Sequence, residues 1–346
     1  MADISGRDAV LIQVIVTPYF NAAATMGFID PFRAANYLKG CALFRWTLLS
    51  EAGGAIPASN GVEIATAPLA GLREGAGDVA GDVLVISSSW EPEAHASARI
   101  CAVLRTAARR QVPLCALDTG AFILARAGLL KGYSATVHYE HLDAFTELFP
   151  DTEVTDSLWV NDRGRITCCG GVAALDLALH MIRQKGGAAL ANAAGAYVFA
   201  SPLRGAATPQ YTHTAGPLGF SVPDRVRAAI RVMEANLEDP LPITALCGRI
   251  GLSHRQLDRL FARYVRKTPA LYYRDMRLDR ARGLVTQTGL PLSEVACASG
   301  FAGQAQFSRA YKERFGLSPG ADRVQGRIPF EFRAWPMHRA PKPAAR

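Results

Sequence analysis

The sequence has no run approaching the roughly 20 uninterrupted apolar residues that a membrane helix requires, and a membrane partner is not expected. It has no CxxC pair, and its seven cysteines, at 41, 101, 115, 168, 169, 247 and 297, are an odd number. That pattern argues against a disulfide framework or a zinc site and for reduced thiols, so neither metal nor cofactor is expected. The first residues also lack the plan of a signal peptide, since Asp3, Arg7 and Asp8 precede a short run ended by Pro18. A cytoplasmic location is the expectation.

What is present is an ordinary globular composition over 346 residues, a length that favours about two domains. The net charge of +8 is unevenly placed. Residues 1–220 carry 16 Lys/Arg against 19 Asp/Glu, whereas 221–346 carry 22 against 11. The basic excess belongs to the C-terminal third, which suits a polyanion partner or a solvated basic face equally.

The first 200 residues alternate strand-like and helix-like runs, the pattern of a mostly parallel sheet covered on both faces. Strands are expected over 10–17, 46–51, 83–88 and 112–117, and a hairpin joins 153–160 to 165–169 through "NDRG". A helix over 171–185 places Leu175, Leu179 and Ile182 on one stripe. Residues 201–223, rich in Gly, Pro and Thr, read as a linker. Residues 224–323 read as helical, and 324–346 as a tail.

The basic third contains one unit written twice. "ITALCGRIGLSHRQLDRLFARYVRKTP" (243–269) is echoed by "LSEVACASGFAGQAQFSRAYKERFGLSP" (292–319). Gly251 corresponds to Gly300, Leu257 to Phe307, Arg259 to Arg309, Phe261 to Tyr311 and Pro269 to Pro319. Each copy holds a short helix, a terminating glycine, a tight turn and a longer basic helix, which is the helix-turn-helix plan. Ile243, Leu246 and Ile250 face Leu257, Leu260 and Phe261, and Ser253 stands at an N-cap position. With those positions buried, His254, Arg255, Asp258 and Arg259 point outward in the first copy, and Gly303, Gln304, Gln306 and Arg309 do so in the second. Arg can fork onto guanine and Gln onto adenine, so these residues are the candidates for reading base edges. Lys312, Arg314, Arg263 and Arg266 are candidates for phosphate contacts.

These motifs, with "YYRDMRLDRARGLV" as the helix joining the copies, make 224–323 resemble the AraC/XylS-type DNA-binding domain. The resemblance implies an all-α domain whose two helix-turn-helix units enter successive major-groove segments of double-stranded DNA. A homodimer and RNA polymerase are the protein partners such a regulator would have.

In the first domain, "LCALDTGAFILA" (114–125) runs from an apolar strand through a tight corner at Asp118 into an apolar-faced helix. α/β hydrolytic enzymes hold a nucleophile on such a corner. The stretches "DPFRAANYL" (30–38), "ALDTGAFILARAGLLKGYSATVHYEH" (116–141) and "ITCCGGVAALDLALHMI" (166–182) make residues 1–200 similar to the class I glutamine amidotransferase-like superfamily. More narrowly, they resemble the branch fused to AraC-type tails. That implies a flavodoxin-like α/β domain with a mostly parallel open sheet, and in catalytic relatives a cysteine on the corner with a histidine beside it.

Here the corner is Asp118, "SSSW" (87–90) stands where relatives place oxyanion-binding glycines, and His138 occupies the expected histidine position. A carboxylate is a far weaker nucleophile toward amides than a thiolate. The expected role is therefore ligand binding by Asp118, Thr119, Trp90 and His138 without catalysis. The effector class is a small nitrogenous metabolite such as an amino acid, a polyamine or a betaine-like compound. Trp90 would supply an aromatic wall contributing roughly 0.5–2 kcal/mol against an alkylammonium. Two other readings stand beside this one: a cysteine-dependent amidase or deglycase-like hydrolase using Cys115 or Cys169 with His138, and a nucleoid protein binding DNA without sequence preference.

Overall fold

The computed structural model describes residues 9–69, 81–200, 204–210 and 223–325. It divides into two compact units, Met1–Gln210 and Tyr211–Arg346. Among the described residues no helix is long and apolar enough to cross a membrane.

The first unit opens with β1 (Val10–Val16), α1 (Ala22–Lys39), β2 (Phe44–Ser50), β3 (Gly54–Pro57) and β4 (Glu63–Pro68). Then come β5 (Val83–Ser88), α2 (Pro92–His95), α3 (Ala98–Arg109), β6 (Leu114–Asp118) and α4 (Gly120–Arg126). It closes with β7 (Ser134–Ala135), α5 (Leu142–Leu148), β8 (Glu153–Val154), β9 (Trp159–Asp162), β10 (Arg165–Cys168) and α6 (Ala173–Tyr197).

Eight strands form one sheet in the order β3-β4-β2-β1-β5-β6-β10-β9. β2, β1, β5, β6 and β10 run parallel, as the alternation of strand and helix demands, while antiparallel β3 and β9 close the edges. The period of two sorts the side chains between two cores. Val14, Val85, Cys115 and Leu117 pack with α1 and α6, whereas Ile15, Leu84, Ile86, Leu114 and Ala116 pack with α3, α4 and α5.

The four expected strands form, that over 83–88 with its bounds unchanged and the other three shifted by one or two residues. The hairpin does too, its two-residue turn made by Arg163 (φ 50°) and Gly164 (φ 79°), the positive pair that suits strand twist. The expected long first arm over 153–160 is divided instead. β8 leaves the main sheet to pair with β7, and only β9 pairs with β10.

The expected helix over 171–185 continues to Tyr197, with a break at Gly187 (φ 85°, ψ 168°). Of the expected stripe, Leu179 and Ile182 are fully buried and Leu175 partly so. Part of the expected linker belongs to the first unit. Arg204 pairs with buried Asp176 at 2.6 Å, Leu158 N–H donates to Thr208 O, and Gln210 Nε2 donates to Thr136 Oγ1 and Val137 O. Residues 201–203 and 211–222 of that linker, and 326–346 of the tail, lie outside the described residues.

The second unit is helical throughout: α7 (Asp224–Glu234), α8 (Ile243–Ile250), α9 (His254–Tyr264), α10 (Pro269–Gln287), α11 (Leu292–Ala298), α12 (Gln304–Phe315) and α13 (Pro319–Gln325). It has two cores. Leu246, Ile250, Leu257 and Phe261 close one around α7–α9, and Val295, Phe307 and Tyr311 close the other around α11 and α12. The helix α10 serves both, burying Tyr273 in the first and Leu278, Ala281, Leu284 and Val285 in the second.

Candidate functional site

In the first unit the β6–α4 corner is built as the sequence suggests. Asp118 ends β6 in the left-handed region, at φ 59°, where a residue with a side chain is strained. Strain of that kind persists only where the surroundings over-determine it. Thr119 Oγ1 donates to Ser89 O at 2.6 Å, tying the corner to the end of β5, whose Ser88 stands opposite Asp118. From β10, the chain passes so close at Gly170 (φ 86°) that a Cβ there would lie 2.8 Å from Asp118 Cβ. Only glycine fits that position.

The carboxylate has a partner that sequence reasoning missed. Asn21 caps α1, its Oδ1 accepting from Ala24 N–H at 3.1 Å, and this fixes its Nδ2 to donate to Asp118 Oδ2 at 2.7 Å. The cap was visible as an Asn ahead of an apolar run, but its second hydrogen bond spans 97 residues of chain and leaves no local signal. Beneath the corner lies a layer of buried hydroxyls, with Thr25 Oγ1 and Ser87 Oγ 2.8 Å apart and Thr17 Oγ1 donating to Ser88 Oγ at 2.9 Å. Trp90 follows these serines, its ring 6.3 Å from that of Tyr19. Tyr19 (φ 61°) and Glu91 (φ 52°) are themselves left-handed, so strain gathers around this rim.

Burial pushes the Asp118 carboxyl from an ordinary 3.8 up to about 6. His138, the Asn21 hydrogen bond and the Thr119 N–H pull it back down, and Glu140 pushes it further up. His138 therefore stands within electrostatic reach of the corner, half-buried, with its Nδ1 accepting weakly from Glu140 N–H at 3.4 Å. Cys115 is fully buried inside β6, and burial raises its thiol well above the ordinary range, so Cys115 offers the corner no thiolate. Cys168 and Cys169 are likewise buried and unbridged.

His138, Glu140 and His141 are a grouping that could hold a metal ion, with ligand atoms up to 4.8 Å apart. Tetrahedral zinc with bonds of about 2.1 Å separates its ligands by about 3.4 Å, so the trio would have to close to bind it.

In the second unit both expected reading helices are formed and exposed. A capping box starts α9, with Ser253 Oγ accepting from Gln256 N–H and Gln256 Oε1 accepting from Ser253 N–H at 2.8 Å. The matched positions of the repeat are equivalent in space: Leu257 and Phe307, and Phe261 and Tyr311, are fully buried. Arg255 and Arg259 project from α9, and Gln304, Gln306, Arg309 and Lys312 from α12, all exposed, with Gly303 the N-cap of α12.

The outward residues differ in what holds them. His254 Nδ1 and Asp258 Oδ2 lie 2.9 Å apart on the outward face of α9, beside the exposed Arg255 and Arg259. Arg314 is not a free phosphate contact, because Asp279 and Asp275 hold it at 2.6 and 2.9 Å. Arg263 and Arg266 are exposed as expected.

Comparison with known proteins follows the same division. Residues 13–184 match the DJ-1/PfpI family and residues 246–325 a helix-turn-helix domain. Over 90% of its length the chain is 36% identical to the HTH-type transcriptional regulator CdhR of Pseudomonas aeruginosa, 90% of which is covered. It is 33% identical over 92% of its length to the HTH-type transcriptional regulator GlxA of Rhizobium meliloti, 97% of which is covered. Among solved structures, an AraC family transcriptional regulator from Pseudomonas putida is 25% identical at a TM-score of 0.48, covering 55% of this chain and 99% of that one.

Proposed function

The chain belongs to the HTH-type transcriptional regulators that join a DJ-1/PfpI domain to an AraC-type helix-turn-helix domain, and from that premise we propose that its first domain is a non-catalytic sensor for a small nitrogenous effector. The observation that carries the proposal is Asp118, a buried carboxyl held in a strained conformation on the corner where catalytic relatives place a thiol. A carboxyl there can pair with an ammonium, guanidinium or quaternary nitrogen but attacks amides poorly. Thr119, Trp90 and His138 complete the recognition surface. The burial of Cys115 supports the same reading against a cysteine hydrolase.

The second domain reads double-stranded DNA with Arg255 and Arg259 of one unit and Gln304, Gln306 and Arg309 of the other. His254, Asp258 and Gly303 shape the entry of these helices, and Lys312 contacts phosphate. The regulator works in the cytoplasm as a homodimer, with RNA polymerase as a further partner. An effector acts through differential affinity for two states of the protein.

A thermal-shift screen of full-length protein against amino acids, polyamines and betaines tests the sensor. A ligand at 100 times its dissociation constant stabilises its site by about 2.7 kcal/mol. A hit lost in Asp118→Ala is the expected result. An unchanged shift in that variant, or turnover of the compound, would overturn it.

A further inference from the structure

The second unit contains a set of polar contacts, centred on one nearly buried carboxylate, that neither its core nor its exposed reading residues require. They converge on two neighbouring residues of α10, the helix that joins the two helix-turn-helix units. Asp275 is nearly buried, and it receives a cation from each side. Lys267, just past the end of α9, donates to its Oδ2 at 2.5 Å, and Arg314 of α12 pairs with the same oxygen at 2.9 Å. One carboxylate thus links the C-terminal ends of both reading helices. Arg314 is held from a second side by Asp279 at 2.6 Å, and Arg274 of α10 reaches Glu313 of α12 at 3.5 Å.

Two residues on, Arg277 makes the complementary connection. Its Nη1 donates to Gly300 O at 2.7 Å in the turn before α12, and its guanidinium lies 4.8 Å from the centre of the Phe301 ring and 5.8 Å from that of Tyr273. Tyr273 donates to Asn236 O at 2.6 Å and accepts from Leu241 N–H at 3.3 Å, both in the segment between α7 and α8. That segment also touches the second helix-turn-helix directly. Gly300, at φ 72°, packs so closely that a Cβ would fall 2.5 Å from Leu237 O and 2.8 Å from Pro240 Cδ. The first helix-turn-helix therefore meets the second by backbone contact, by the Tyr273–Arg277–Gly300 chain and by the shared Asp275.

A fully solvated linking helix would leave the two reading helices free to move apart. An ion pair on a nearly buried carboxylate does little for net stability but, with one partner removed, leaves an uncompensated charge, which favours the arrangement that keeps it paired. We propose that Asp275 and Arg277 are positioning residues that fix the separation of the two reading helices, and so set the spacing of the two DNA segments the protein accepts. This rests on the DNA-reading role proposed above.

The test uses the full-length protein and duplexes it selects from a random pool. One or two base pairs are then inserted between the two recognised segments, and affinities are compared by fluorescence anisotropy for wild type, Asp275→Asn and Arg277→Met. Each inserted pair moves one segment by about 3.4 Å and turns it by about 34°. The rigid wild type should lose about tenfold or more per insertion, a loss comparable to that of a mismatched base pair. In either variant that loss should fall below about threefold, while a duplex carrying one segment is bound as wild type binds it. Equal insertion losses in wild type and both variants would overturn the proposal. So would variants that weaken the single-segment duplex as much as the intact one, which is the signature of a general folding defect. If one variant fails to fold, the other decides, because the two remove different contacts. Failure to enrich any sequence would instead remove the DNA-reading role, and this inference with it.

Discussion

Asp118 concentrates the chemistry of the first domain in one side chain, and its protonation makes a prediction with a definite sign. Its carboxyl titrates at about 6 in the folded protein, against about 3.8 when solvated. Between those values the folded state keeps a proton that the unfolded state has released, so stability is lost as pH rises through that window. The full loss, present above pH 6, is of the order of 3 kcal/mol. Asp118→Asn keeps an acceptor for Asn21 and has no such dependence. Urea unfolding of the first domain, followed through Trp46, Trp90 and Trp159, should find this variant about 3 kcal/mol the more stable at pH 8 and equal to wild type below pH 4. A difference that does not change with pH would show that the carboxyl is not held in a desolvated site. At this scale the sequence revealed the corner but not its surroundings. Asp118 was legible because strand, turn and helix follow one another locally, whereas Asn21 and Gly170 reach it only through the order of strands in the sheet.

Among the elements, the two reading helices carry predictions that separate specificity from affinity. An arginine forked onto a guanine contributes about 1–3 kcal/mol of discrimination, and a phosphate contact contributes none. Arg259→Ala should therefore relax preference at one base position of the selected duplex. Lys312→Ala should weaken all duplexes alike and lower the salt slope of binding by about 1. Uniform weakening by both substitutions would favour the nucleoid reading. These helices were legible because the repeat shows its buried positions twice, Leu257 with Phe307 and Phe261 with Tyr311. The central strands β1, β5 and β6 were legible as apolar runs. By contrast, β3 and β4 were not anticipated, because "GAIP" and "EIATAP" are short, lie at or beside the sheet edge and end in proline. The joining helix α10 was anticipated, but not its clasp. Neither Asp275 nor Arg277 was singled out in the sequence, because only the packing of both helix-turn-helices against one helix buries the first and half-buries the second.

At the scale of the whole molecule, the proposed sensor and the proposed DNA-reading domain are useful together only if the first alters the affinity of the second. An effector can shift that equilibrium by no more than its preference for one state over the other, and by linkage DNA must alter effector affinity by the same factor. A coupling of 1–3 kcal/mol would change DNA affinity by about 5- to 150-fold. The charge division is consistent with this separation of tasks, since the basic excess lies wholly in the part that meets a polyanion. The measurement that tests the account most directly is the affinity of the full-length protein for its selected duplex, with and without the effector found by the screen, in wild type and in Asp118→Asn. The account predicts a change of at least fivefold in wild type and none in the variant. The same change in both proteins, or none in either, would contradict it.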